Sequence, residues 1–335
     1  MSVPFSCAGA VVYQASDRGI VTECTQPRQV FNVPVRENHH PEEPVTNSSP
    51  ISKLAALEER LRALAPVALG FSGGVDSTFL AAVCARAIPD RTLLVHLDSP
   101  FVGTPERASF QSLVDTLGLP VLAIPFDPFT QEDVRANGPE RCYHCKRAGF
   151  SRIAQAAQER GIACVLDGSN ADDAAATDRP GTRALRELGV RSPLMETAWT
   201  KAEERKILRD WGLPVWNLPA GACLATRVAT GEPLTPAKLD AARACEDYLH
   251  ELGCTQVRAR ITGDGLRIEG SPQDLALIAV ASGTAADGAA SVHEGQPQLH
   301  GDVLAQLRTL AQEHGIASVS PHARPYRRGS MNAQP

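Results

Sequence analysis

Apolar and polar positions repeat along the chain with two different periods, and the changes of period mark the elements. Between residues 50 and 222, short apolar runs of strand length are each followed by a longer segment with helical spacing. Val67, Ala68, Leu69 and Phe71 make a short buried strand, and Ser77 to Ile88 (STFLAAVCARAI) make an apolar helix. TLLVHLDS leads to PERASFQSLVDTLG, and VLAIPFD precedes a cysteine pair. KRAGFSRIAQAAQERG has helical spacing, CVLDGSN reads as a strand, and TKAEERKILRDWG is another helix. A further helix, ISKLAALEERLRALA, stands ahead of the first strand. This alternation predicts an α/β domain with a doubly wound parallel sheet and ligands at the carboxyl ends of its strands.

After residue 222 the pattern changes. TPAKLDAARACEDYLHELG is a long amphipathic helix with Thr235 as N-cap and Gly253 as its stop. TQVRARI and LRIEG flank Thr262-Gly263-Asp264-Gly265, a hairpin signal. Two more helices are expected, separated by a soft insertion at 281–299. The division is therefore a poorly ordered extension over 1–48, an α/β domain over 49–222 and a smaller α+β domain over 223–335. His39 and His40 fall in the extension and read as a solvated pair.

Composition narrows the class of partner. The 335 residues carry a net charge of −5, so no general basic field draws in nucleic acid. No apolar run approaches the ~20 residues of a membrane span, and the first residues lack the pattern of a secretory signal. Nine cysteines, an odd number scattered through a long chain, fit a reducing cytoplasm better than a disulfide framework.

The stretch GFSGGVDST, at 70–78, sits between the first strand and the apolar helix. Gly73 and Gly74 can adopt positive φ and leave backbone N–H groups bare, and a helix N-terminus adds more. No lysine follows the glycines, so this is not the GxxxxGK[ST] loop that guides a terminal phosphate. It suits a pyrophosphate that leaves. Ser72, Asp76 and Ser77 add polar partners, with Asp76 the candidate for a metal. Asp98, Asp167, Asp172 and Asp173 stand at other strand ends, where Mg²⁺ and a ribose would lie. For Asp172 and Asp173, helix capping is the competing role.

The cysteines suggest a second chemistry. Arg141-Cys142-Tyr143-His144-Cys145-Lys146 is followed far downstream by Ala222-Cys223-Leu224-Ala225-Thr226-Arg227. Structural zinc takes four ligands, and no second Cys-x-x-Cys completes such a site. Three thiolates suit a [4Fe-4S] cluster with one open iron. His144 as a fourth zinc ligand is the competitor, set awkwardly inside the same turn. Cys84 and Cys164 lie in apolar patterns and read as packing residues, Cys245 is within a helix, Cys254 is at a strand edge, and Cys7 and Cys24 belong to the extension. Cys223, in a small-residue loop beside an arginine, is the favoured third thiol. In the hairpin, alternation puts Arg258 and Arg260 on one face, with Arg267 and Glu269 alternating across the turn. Such a solvent-facing cluster suits a phosphate or carboxylate, or is an ordinary sheet face with cross-strand ion pairs.

Ser72-Gly73-Gly74-Val75-Asp76-Ser77 is similar to the signature of the PP-loop ATP pyrophosphatases, whose fold is adenine nucleotide alpha hydrolase-like. RCYHCK, DGSNADD, Arg179-Pro180-Gly181, GVRSPL, LPVWNLPAGACLATR and the stretch from Tyr326 to Asn332 together resemble the LarE family, in order, from about residue 50 onward. That resemblance implies an ATP-dependent sulfurtransferase of nickel-pincer nucleotide assembly. ATP adenylates a carboxylate of pyridinium-3,5-biscarboxylate mononucleotide, and sulfur displaces AMP to give a thiocarboxylate. In one branch of the family a single cysteine, at the position of Cys223, gives up its own sulfur. In the other, three cysteines hold a [4Fe-4S] cluster, and Cys142, Cys145 and Cys223 resemble that type. The resemblance also implies that Arg227, Glu246, Arg258, Arg260, Glu269 and Arg327 grip substrate phosphate and AMP, with Arg227 beside the catalytic Cys223. A homo-oligomer and a sulfur donor of unknown identity complete the expectation. The rivals are a cluster-dependent tRNA thiolase, disfavoured by the charge of −5, and a non-catalytic zinc and nucleotide-binding protein.

Overall fold

A computed structural model describes residues 20–22, 50–174, 180–218, 221–283, 298–327 and 329–331. The chain forms two compact units: one of 1–98, 105–126 and 146–220, the other of 99–104, 127–145 and 221–335.

The first unit begins with β1 (Ile20–Thr22) and α1 (Pro50–Leu64). Next come β2 (Val67–Gly70), α2 (Val75–Ala87), β3 (Thr92–Asp98), α3 (Thr104–Leu117) and β4 (Val121–Pro125). It closes with α4 (Arg141–Gln158), of which 141–145 count with the second unit, β5 (Cys164–Leu166) and α5 (Lys201–Asp210). The strand order is β1-β4-β3-β2-β5, with β2 parallel to both β3 and β5, and β3 parallel to β4. Alternate side chains of each strand feed two separate cores. Val67, Leu69, Leu94 and Leu166 pack with Leu57, Phe79, Leu80 and Trp199 on one face. Ala68, Leu93, Val95, Leu122 and Val165 pack with Ile153 and Ala157 on the other. Both faces are covered, as a parallel sheet requires, and the fold is the doubly wound α/β architecture expected. Each fully buried Leu or Phe contributes roughly 1.5–3 kcal/mol.

Two boundaries differ from the sequence reading. Ile20–Thr22 lies within the stretch assigned to a loose extension, yet it pairs antiparallel with β4 as an edge strand; Ile20, Val21 and Thr22 are all β-branched. The rest of 1–48, with Cys7, Cys24, His39 and His40, lies outside the described residues. The helix expected from Lys146 begins instead at Arg141, so the Cys-x-x-Cys occupies the first turn of α4.

In the second unit, α6 (Pro236–Glu251) is capped by Thr235, whose hydroxyl accepts from Lys238 N at 3.2 Å. Gly253 ends it with φ +92°. β6 (Val257–Thr262) and β7 (Gly265–Gly270) pair antiparallel around a two-residue turn in which Gly263 has φ +60°. α7 (Pro272–Ala281) and α8 (Gly301–Glu313) follow, and β8 (Ser318–Val319) and β9 (Arg324–Pro325) join β7 in parallel. Val257, Ala259, Ile261 and Ile268 meet Leu249, Leu275 and Leu307 in this unit's main core. A smaller cluster of Phe101, Val134, Leu224, Val228 and Leu239 has Cys145 at its margin. Of the insertion, 284–297 lies outside the described residues.

Candidate functional site

In the first unit, the glycine loop between β2 and α2 is braced by its own side chains. Gly73 has φ +76°, which a side chain would strain. Gly74 N donates to Ser72 Oγ and Ser72 N to Ser77 Oγ, both at 3.3 Å, while Ser77 Oγ donates to Gly74 O at 3.2 Å. No side chain caps the start of α2. Asp76, in its first turn, accepts from Lys201 Nζ at 2.9 Å and from Asn170 Nδ2 at 3.2 Å. The same amide donates to Glu204 Oε1 at 3.1 Å. Glu204 is wholly buried, and its Oε2 has no hydrogen-bond partner. Burial, and then the nearby Asp76 carboxylate, push its pKa up to about 10, so it holds a proton at neutral pH.

The other acids of this unit divide by role. Asp167 is buried and accepts from the hydroxyls of Ser169 and Ser192, with Lys146 Nζ at 3.8 Å. Asp172 accepts from Lys201 N at 2.9 Å and so braces the start of α5, the capping alternative weighed above. Asp98 is exposed at the end of β3, 3.6 Å from Arg107. Gly168 lies hard against the loop: a Cβ there would stand 3.0 Å from Ser77 N and 3.2 Å from the Asp76 carbonyl carbon. Sequence reasoning missed Lys201, Glu204 and the amide of Asn170. The available signal was the capping box of Thr200 and Glu203, which fixes where α5 starts but not which of its charged residues turns inward.

All three candidate thiols belong to the second unit. Cys142 and Cys223 are exposed and Cys145 is half-buried. Arg141 links the two segments: it donates to Asn137 Oδ1, to Ala225 O at 3.0 Å and to Cys142 Sγ at 3.7 Å. Although Cys223 keeps exposed surface, protein crowds its thiol. That desolvation raises its pKa, opposed by the guanidiniums of Arg141 and Arg227. His144 Nδ1 faces Asp133 at 3.3 Å. Among the described residues, no three His, Cys, Asp or Glu side chains converge into a metal-holding group. The donor set, three soft sulfurs on two segments joined by Arg141, fits an iron–sulfur cluster in chemistry. Cys84, Cys245 and Cys254 are buried, and Cys164 is half-buried.

The hairpin arginines require a correction. Arg258 and Arg260 share a face as alternation predicts, but that face is buried: they are 4% and 5% exposed. Arg260 Nε pairs with Glu269 at 3.0 Å and its Nη1 donates to Thr226 O at 2.7 Å. Arg258 and Arg260 both lie over the Tyr326 ring, at 5.8 and 5.9 Å. Ser330 donates to Glu269 at 2.9 Å, so the loop around Tyr326 and the 226–227 segment cover what alternation alone would leave to water. Arg227 meets Glu246 with two bonds of 2.8 Å, and Glu246 Oε1 also accepts from Ala259 N. Arg267 adds a contact to Glu269 at 3.3 Å. Four guanidiniums thus surround two carboxylates, leaving a net positive site that suits an anion. Arg327 is exposed.

The Asparagine synthase family model matches residues 54–213, which take in the glycine loop. An uncharacterised protein of Synechocystis is 34% identical over 224 residues, 67% of this chain and 83% of the relative. The pyridinium-3,5-bisthiocarboxylic acid mononucleotide synthase of Lactiplantibacillus plantarum is 33% identical over 220 residues, 65% of this chain and 79% of the relative. A protein of Methanocaldococcus jannaschii is 26% identical over 196 residues, 58% of this chain and 73% of the relative. With a lysine-free glycine loop, a thiol trio and a likeness of this extent to the synthase, the chain belongs to the LarE family.

Proposed function

We propose that this protein is an ATP-dependent sulfurtransferase that converts a carboxylate of pyridinium-3,5-biscarboxylate mononucleotide to a thiocarboxylate. The observation that carries the reading is the glycine loop itself: uncapped N–H groups, an aspartate in the first turn and no loop lysine, in a chain 33% identical to the synthase. A substrate carboxylate oxygen attacks the α-phosphorus of ATP, the bond to the β-phosphate bridge breaks, and pyrophosphate leaves. Ser72, Gly73, Gly74 and Ser77 cradle that pyrophosphate. Asp76 is the Mg²⁺ partner and Lys201 meets the phosphates, while Asn170 braces Asp76, and Asp167 and Asp172 lie on the nucleotide side of the strand ends. Asp98 faces the nucleotide from the end of β3. In the second half-reaction a hydrosulfide-level sulfur attacks the acyl carbon. The C–S bond forms, the C–O bond to AMP breaks, and one proton is released. Cys142, Cys145 and Cys223 would hold a [4Fe-4S] cluster, which would supply the sulfur for this half-reaction. Arg227, Glu246, Arg258, Arg260, Glu269 and Arg327 orient the phosphate and AMP moieties.

Substrate-dependent pyrophosphate release tests the first half-reaction: Asp76→Ala should abolish it while the chain still folds. For the second, alanine at Cys142, Cys145 or Cys223 should remove iron and sulfur transfer together while adenylation continues. Mass spectrometry of the reacted protein is the opposing check. Loss of about 34 Da at Cys223 in iron-free, active enzyme would overturn the cluster in favour of a sacrificial cysteine.

A further inference from the structure

Asn137 is wholly buried and has φ +58°, a left-handed conformation that asparagine tolerates better than most residues. Its amide donates to Ala229 O at 2.8 Å and to Glu232 O at 2.9 Å, and its own carbonyl accepts from Gly231 N at 2.9 Å. Leu234 N donates to Arg135 O at 2.8 Å beside it. The remaining acceptor of Asn137, Oδ1, takes the Nη1 of Arg141, and that guanidinium continues to Ala225 O and Cys142 Sγ. Residues 135–142 are thereby strapped to 225–234. Cys142 sits at one end of the strap, and Cys223, two residues before Ala225, at the other. A surface arginine that merely capped its own helix would need none of these partners.

We propose that Arg141, locked by Asn137, is a positioning residue that holds the Cys223 loop against the first turn of α4, so that three thiols act on one soft ligand. The role rests on the three-cysteine reading given above. It predicts a specific division of labour. The Cys-x-x-Cys keeps its own geometry from the helix, whereas Cys223 depends on the guanidinium for its place. Nη1 alone makes the bonds to Asn137 Oδ1 and Ala225 O while Nη2 reaches Cys142 Sγ; lysine keeps the charge, but its single nitrogen on a shorter stem cannot make all three contacts.

The test uses the metal-free full chain with Cd²⁺, a soft thiolate-seeking ion, as the probe. Iodoacetamide labelling is read at each cysteine by peptide mass spectrometry. In the wild type, Cd²⁺ should protect Cys142, Cys145 and Cys223 alike. In Arg141→Met and Arg141→Lys, Cys142 and Cys145 should stay protected, while Cys223 is labelled roughly ten to a hundred times faster, as loss of charge-assisted hydrogen bonds implies. Buried Cys84 and Cys245 report the fold, since both label only if the chain opens. Should the methionine variant open, the lysine variant, with the longer cationic chain retained, carries the comparison. Undiminished protection of Cys223 in a folded variant overturns the positioning role alone. Failure of Cd²⁺ to protect Cys223 in the wild type overturns the three-cysteine reading, and this role with it.

Discussion

At Glu204 the fold holds a carboxyl where no water reaches it. Its pKa rises from an ordinary 4.5 to about 10, first through burial and then through Asp76. Below the ordinary value both folded and unfolded chains carry the proton. Between that value and about 10 only the folded chain keeps it, so stability from this group is lost steadily as pH rises through the window. Glu204→Gln supplies a neutral amide in the same space and removes the linkage. The variant's melting temperature should therefore fall less than the wild type's between pH 6 and 9, with the gap widening at the alkaline end; parallel curves would refute the protonated carboxyl. The sequence made Asp76 legible because it stands in a recognisable loop. It did not make Glu204 legible: Lys201, Glu203, Glu204, Arg205 and Lys206 are all charged, and only packing decides which one turns inward.

Strands and helices were legible where one residue pattern had one consequence. The β2–loop–α2 unit, the Thr235 cap and the Gly263 turn follow from local chemistry, and each is where its residues imply. The β6–β7 hairpin shows the limit of that logic. Alternation assigned Arg258 and Arg260 correctly to one face, but whether a face meets water depends on segments far away in sequence, here Thr226, Tyr326 and Ser330. Contacts between loops are equally silent in sequence, and Gly168 is the sharpest case. A methyl group there would press on Ser77 N at 3.0 Å, so Gly168→Ala must push the 167–170 turn and the glycine loop apart. Overpacking of this kind costs roughly 1–3 kcal/mol. Calorimetry should show ATP binding weakened by about tenfold or more, with the far sheet cores unaffected in hydrogen exchange. Unchanged ATP affinity would mean the two loops move freely past one another.

For the molecule as a whole, the fold class was legible because strand and helix periods alternate over a long stretch, and the family because its motifs come in order. The composition of the two units was not legible, since 99–104 and 127–145 cluster with the C-terminal residues. No helix among the described residues is long and apolar enough to cross a membrane. The chain's net charge is −5, yet among the described residues the face built by Arg227, Arg258, Arg260 and Arg267 pairs with two carboxylates, Glu246 and Glu269. An anionic mononucleotide approaching from beyond a Debye length, about 8–10 Å, meets the charge of the whole chain and is repelled. Within that distance it meets guanidiniums whose buried pairs salt scarcely loosens. Encounter and retention thus respond oppositely to electrolyte. Stopped-flow association rates should rise as salt increases from roughly 20 to 200 mM, with the dissociation rate nearly flat. A ligand that arrives more slowly in salt would mean that the arginine face reaches further into solvent than its burial allows.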